Sequence, residues 1–142
     1  MATKPWHIPL RLAAGSVILQ QGLAKQEADE GTAKWLQERA AVVVPQLGDL
    51  DPKQFATLLS TSEVTLGASL LAIGVVSPLL AGLGLTAFGA GLNMLYLRAE
   101  GTTQEGSIKP TQQGVPLVKD VWLTAIGAAL VLDSIFSPRR HR

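Results

Sequence analysis

The chain has 142 residues, 47% of them hydrophobic, and its 12 basic and 11 acidic side chains leave a formal charge of +1, so no nucleic-acid partner is expected. It has no cysteine, which excludes disulfide exchange, thiolate metal ligation and cysteine catalysis by this chain alone. Both histidines, His7 and His141, lie near the termini, so no metal or haem site built by this chain is expected.

A bilayer core about 30 Å thick calls for roughly 20 apolar residues per helix. Four stretches meet that need: 8–25, 52–76, 78–98 and 118–136. The first, behind Lys4 and Arg11, also fits a signal sequence; read from Met1, it is expected to remain as a span. The second gains its length from Asp51-Pro52, an N-cap followed by proline at the first helical position. From Val64 to Leu97 there is no charged residue, only the turn Ser77-Pro78, whereas the helices of a soluble bundle would show a charged face. The expected fold is therefore all-α, a single membrane domain over residues 1–142 built as a four-helix integral membrane bundle.

The connection 26–51 is too apolar for a plain loop. Trp35, Leu36, Ala40, Val43 and Val44 recur at helical spacing opposite Lys34, Glu38 and Arg39, so Thr32 to Val44 is expected to form a short amphipathic helix on the membrane surface or across the helix ends. The connection 99–116 is polar and rich in Gly, Thr and Gln, and is expected to be mobile unless a partner orders it. Lys4 and Arg11 precede the first span and Arg139, Arg140 and Arg142 follow the last, while 26–62 is predominantly acidic. The excess of positive charge at both ends predicts a multi-pass protein of the inner (plasma) membrane with both termini cytoplasmic and the amphipathic helix outside. Trp6, Tyr96 and Trp122 fall near the expected interfaces, as an aromatic belt would.

Depth can be counted from the cytoplasmic end of each helix at about 1.5 Å per residue. On that scale Gln20, Gln21, Lys25, Glu63, Asn93, Lys119 and Asp120 share one outer layer, roughly 17 to 26 Å in. A smaller inner layer is expected to pair Arg11 with Asp133. Arg11, Gly15, Ile18, Gly22 and Lys25 share one face, as do Glu63, Gly67, Leu70 and Gly74, and Gly82, Thr86, Gly89 and Asn93. Small residues there let helices approach closely. A charge inside a membrane is costly when unpaired, so Glu63 should pair with Lys25 or Lys119, leaving Asp120 for the other lysine. Such ions can simply fix the register of four helices, or they can line a polar pocket for a quinone or lipid head group or a small anion. No convincing sequence repeat is seen, although two antiparallel pairs would suit four such helices.

Arg11, Gly15 and Gln21-Gly22-Leu23-Ala24-Lys25, followed by Glu63, Gly67 and Gly74 and then Lys119-Asp120, resemble the motifs of the DoxX-like family of small four-helix membrane proteins, which includes DoxX and DoxD and is related to MauE. The resemblance covers nearly the whole chain. The family's frequent histidine is Gln21 here, and an amide does not exchange protons at physiological pH. Some DoxX-like proteins are subunits of thiosulfate:quinone oxidoreductases or sit near other redox proteins. The resemblance thus implies an accessory, non-catalytic subunit of a redox or cell-envelope complex, with other membrane subunits and the lipid bilayer as partners and no cofactor held by this chain alone. A quinone-interacting oxidoreductase subunit is the alternative, and a small-solute carrier ranks below it.

Overall fold

The computed structural model describes residues 3–137, so the basic tail Arg139–Arg142 used for topology lies outside the described residues. The described residues are helical, with no β-strand: α1 His7–Lys25, α2 Glu30–Val43, α3 Pro52–Leu71, α4 Pro78–Arg98, the short α5 Val115–Val118 and α6 Val121–Phe136, with a 3-10 turn at Pro45–Asp49 after α2. The starts of the middle helices follow from the local sequence. Asp51 accepts hydrogen bonds from the backbone N–H groups of Lys53 and Gln54 ahead of Pro52, and Ser77 accepts one from Leu80 ahead of Pro78. Each supplies an acceptor for N–H groups that have no partner within the helix.

Two expected boundaries are corrected. The span expected over 52–76 ends at Leu71, because the chain turns at Gly74, whose φ of 89° suits glycine. The span expected over 118–136 is broken at Lys119 and Asp120, so that α6 proper begins at Val121.

Helices α1 and α3 form one antiparallel pair, and α4 and α6 form a second. In the first, a Cβ on Gly67 would stand 2.6 Å from the Leu19 backbone nitrogen, and one on Gly22 2.8 Å from that of Val64. In the second, a Cβ on Gly127 would stand 2.6 Å from the Thr86 nitrogen, and one on Gly89 2.7 Å from that of Thr124. These are the same contacts at a constant offset. Gly82, Thr86 and Gly89 lie 67 residues beyond Gly15, Leu19 and Gly22, while Thr124, Gly127 and Leu130 lie 60 residues beyond Val64, Gly67 and Leu70. The molecule thus contains a repeated helix pair that sequence inspection did not find.

One core joins the pairs, made of Ala14 and Ile18 from α1, Leu70 from α3, Ala81 and Leu85 from α4 and Leu130 from α6. Helix α2 packs on α3 and α4 and is fixed by Gln37, whose buried amide donates to the Leu47 and Leu50 carbonyls. The connection 99–114 is folded rather than open. Tyr96 donates its hydroxyl to the Ile108 carbonyl at 2.6 Å, and the Thr111 N–H donates to the Thr102 carbonyl at 3.0 Å.

Residues 78–98 and 115–136 are long and apolar enough to cross a membrane. Little of either apolar window is buried, 28% in 78–98 and 11% in 115–136. Leu80, Leu83, Leu97, Trp122, Ile135 and Phe136 all face outward, which water would penalise over so large an area.

Candidate functional site: buried charges on one helix pair

The buried charged side chains Arg11 and Glu63 both sit on the α1/α3 pair. Glu63 is packed behind Gly22, where the missing side chain makes room for it. Lys25, one turn along the same face of α1, donates to Glu63 Oε1 at 3.1 Å and stands 2.9 Å from Oε2. Of the two lysines considered as partners, Lys25 is therefore the one that pairs with Glu63; Lys119 is exposed. Both carboxylate oxygens of Glu63 are thus within reach of the Lys25 ammonium, and Oε2 is shielded from solvent. Asp120, half-buried at the start of α6, is close enough to feel the Lys25 charge. Ser60 completes this end of the pair by donating to the Gly22 carbonyl at 2.8 Å.

Arg11 and Asp133, expected to pair with each other, take different partners. The Arg11 guanidinium is fully buried at the end of α3. It donates to the carbonyls of Leu70 at 2.8 Å, Ser69 at 2.8 Å, Val76 at 2.9 Å and Ala72 at 3.4 Å. A helix end leaves its last carbonyls unpaired and carries partial negative charge, and the five N–H groups of an arginine meet both needs. Asp133 instead accepts from Lys4 at 2.8 Å, from Ser137 and from the buried His7 at 2.9 Å. Lys4 also contacts the Ser137 hydroxyl. This set ties the start of α1 to the end of α6.

Asn93 donates to Thr124 Oγ1 at 2.8 Å across the α4/α6 pair, which makes it part of a neutral contact separate from the Lys25 and Glu63 pair. Gln21 is exposed and points away from Glu63, a quarter-turn or more from the face that carries Gly22. Thus Lys25 and Glu63 are brought together with Asp120 within range of the Lys25 charge, Asn93 has a separate partner, and Gln21 and Lys119 stand outside. His7 and Lys4 were missed as site residues; the signal for His7 is its position four residues before Arg11, on the same face as Gly15 and Gly22.

Comparison with protein-family models, with curated proteins and with solved structures gives no match to this chain.

The chemistry available at the Lys25 end is a carboxylate held against an ammonium, with a second carboxylate nearby. The α4/α6 pair achieves the same helix contact with Leu92 and Leu123 at the places of Lys25 and Glu63. Helix packing alone therefore does not call for this ion pair.

Proposed function

We propose that the chain is a DoxX-like integral membrane protein whose helices α1, α3, α4 and α6 cross the inner membrane, with both termini cytoplasmic and α2 on the outer face, and that it acts as an accessory subunit of a redox or cell-envelope membrane complex. The observation that carries this proposal is the inverted distribution of polarity. Apolar side chains cover the outside of α4 and α6, while Arg11 and Glu63 are enclosed between helices, as intramembrane charges are. The absence of cysteine and the small size favour a supporting rather than a catalytic part.

Purification from native membranes in a mild detergent, with mass spectrometry of everything retained, tests it. The expected result is a chain released only by detergent together with a stoichiometric membrane partner. Purification alone, combined with intact membrane complexes after deletion of the gene, would sink it.

A second function, a quinone-interacting oxidoreductase subunit, is favoured by one observation. The Lys25 ammonium, held by the buried Glu63, keeps part of its surface exposed, so it can donate to a quinone carbonyl oxygen while Glu63 positions it. Glu63→Gln should then lose retained quinone, and unchanged retention would remove this alternative.

A further inference from the structure

The start of α1 and the end of α6 meet at a histidine whose two ring nitrogens are both engaged. The His7 side chain is 2% exposed. Its Nδ1 lies 3.3 Å from the backbone nitrogen of Lys4, and its Nε2 lies 2.9 Å from Asp133 Oδ2. A backbone N–H can only donate, so Nδ1 accepts, and the one proton of the neutral ring sits on Nε2, where it is donated to Asp133. These contacts hold His7 in a single uncharged tautomer.

That tautomer leaves one place for a second proton, and Lys4 occupies it. The ring gains its charge by protonation at Nδ1, which turns the acceptor of the Lys4 N–H into a donor. Two donors would then face each other in a site closed to water, where unmade hydrogen bonds are costly. The Lys4 backbone therefore has to move away for the proton to arrive.

The side chain of Lys4 is drawn into the same exchange. Its Nζ stands 2.7 Å from Asp133 Oδ2, the oxygen that also accepts from His7. While His7 is neutral, Asp133 balances one cation; once His7 is charged, two cations compete for one carboxylate. No second acid is at hand. Among the described residues, Asp133 is the only titratable group of α6, and the last turns of α3, the turn 72–77 and the first four turns of α4 carry none. The next charge along α1 is Arg11, a further cation, already committed to backbone carbonyls. His7 is enclosed, whereas the Lys4 side chain is 29% exposed and has water to turn to, so Lys4 is the partner that leaves.

We propose that Lys4, His7 and Asp133 form a proton-operated latch. With His7 neutral, Lys4 and the segment leading into α1 are bound to the end of α6; with His7 charged, His7 alone keeps Asp133 and that segment is released. Histidine is the ordinary side chain that changes charge between pH 5 and 8, which makes pH the signal such a latch reads. On the membrane placement proposed above, this end faces the cytoplasm. The exchange itself follows from the contacts and does not depend on that placement.

The test uses the chain carrying His141→Gln, in which His7 is the remaining histidine, in mild detergent between pH 8 and pH 5. Nitrogen-15 spectra of the imidazole report its tautomer and charge, and a nitroxide on Thr3→Cys, the sole cysteine, reports the mobility of the segment before α1. At pH 8 the expected result is a ring protonated at Nε2 alone and an immobilised label. On acidification both ring nitrogens should become protonated and the label mobile with a shared midpoint. The ratio of mobile to immobile label should rise by at most about tenfold per pH unit, the limit for one proton. His7→Asn, which can offer Lys4 an acceptor but does not titrate, should leave the label insensitive to pH. A ring that stays neutral down to pH 5 overturns the latch, as does a ring that charges while the label stays immobile, or a His7→Asn chain whose label responds as its parent does. The first two outcomes are read on the native histidine, so they decide even where His7→Asn does not fold.

Discussion

The α1/α3 and α4/α6 pairs solve one packing problem with different chemistry. Both bring two antiparallel helices together at glycines in the same register. The first then adds a buried guanidinium and a buried carboxylate, while the second adds the neutral Asn93 to Thr124 bond and a proline where the first has Arg11. Among the described residues, only 78–98 and 115–136, the segments that supply the second pair, are long and apolar enough to cross a membrane by composition. Close approach through small residues is thus sufficient to hold such a pair, and the ions of the first pair are an addition that needs its own explanation.

The largest effect should come from Arg11. Arg11→Met strands carbonyls at the end of α3, and by the usual cost of breaking a buried charged contact it should destabilise the fold by about 3 to 5 kcal/mol. Pro78→Ala, at the equivalent place in α4, should cost about 1 kcal/mol or less. Reversible unfolding in mild detergent measures both, and similar losses would erase the contrast between the pairs.

Gly67→Ala and Gly127→Ala probe what the pairs share. Each new methyl would meet the backbone of the facing helix at 2.6 Å, so each should cost about 1 to 3 kcal/mol. The repeat predicts similar values, and a large inequality in the same unfolding measurement would break it.

The ion pair is expected to matter less to stability than its burial suggests. Glu63→Leu leaves Lys25 without its partner and should cost about 1 to 3 kcal/mol. Adding Lys25→Leu, which converts the site to the leucines of the second pair, should recover most of that loss. If the double variant is as unstable as the sum of the single ones, Lys25 and Glu63 do not act as a unit.

The smallest expected effect lies outside both pairs. The Thr32 N–H donates to Asp29 at the start of α2 and holds that carboxyl below its ordinary range. A carboxyl whose pKa is lowered by folding adds stability above its unfolded pKa and loses it as the pH falls through the folded value. Protection of the Thr32 amide, taken relative to its intrinsic exchange rate at each pH, should therefore fall only on strong acidification, and Asp29→Ala should remove that pH dependence.

Much of this arrangement was legible in the sequence. Proline and cap signals located the starts of α3 and α4, and the spacing of Lys25 from Gly22 and of Glu63 from Gly67 indicated facing helices. Arg11 was misjudged because acid–base matching pointed to Asp133, whereas a helix end presents carbonyls that carry no signature of their own in the sequence. The shortened α3 follows from the same omission: Arg11 engages carbonyls from Ser69 to Val76, where an uninterrupted helix was expected. Gln21 was placed in the polar layer by its depth alone, although helical phase puts it off the Gly22 face. The repeat escaped notice because its two halves share glycines and contact geometry but few other residues.

Arg11 also bears on how the chain is made. Its acceptor carbonyls lie 58 to 65 residues downstream, so α1 is synthesised well before anything can satisfy its guanidinium. If α1 enters a bilayer, it does so with an arginine that hydrocarbon cannot accommodate, and it gains a full set of partners only when α3 and the turn at Gly74 arrive. The first two long helices are then expected to settle as one hairpin, with α1 held back at the membrane surface or beside the insertion machinery until its arginine finds the end of α3.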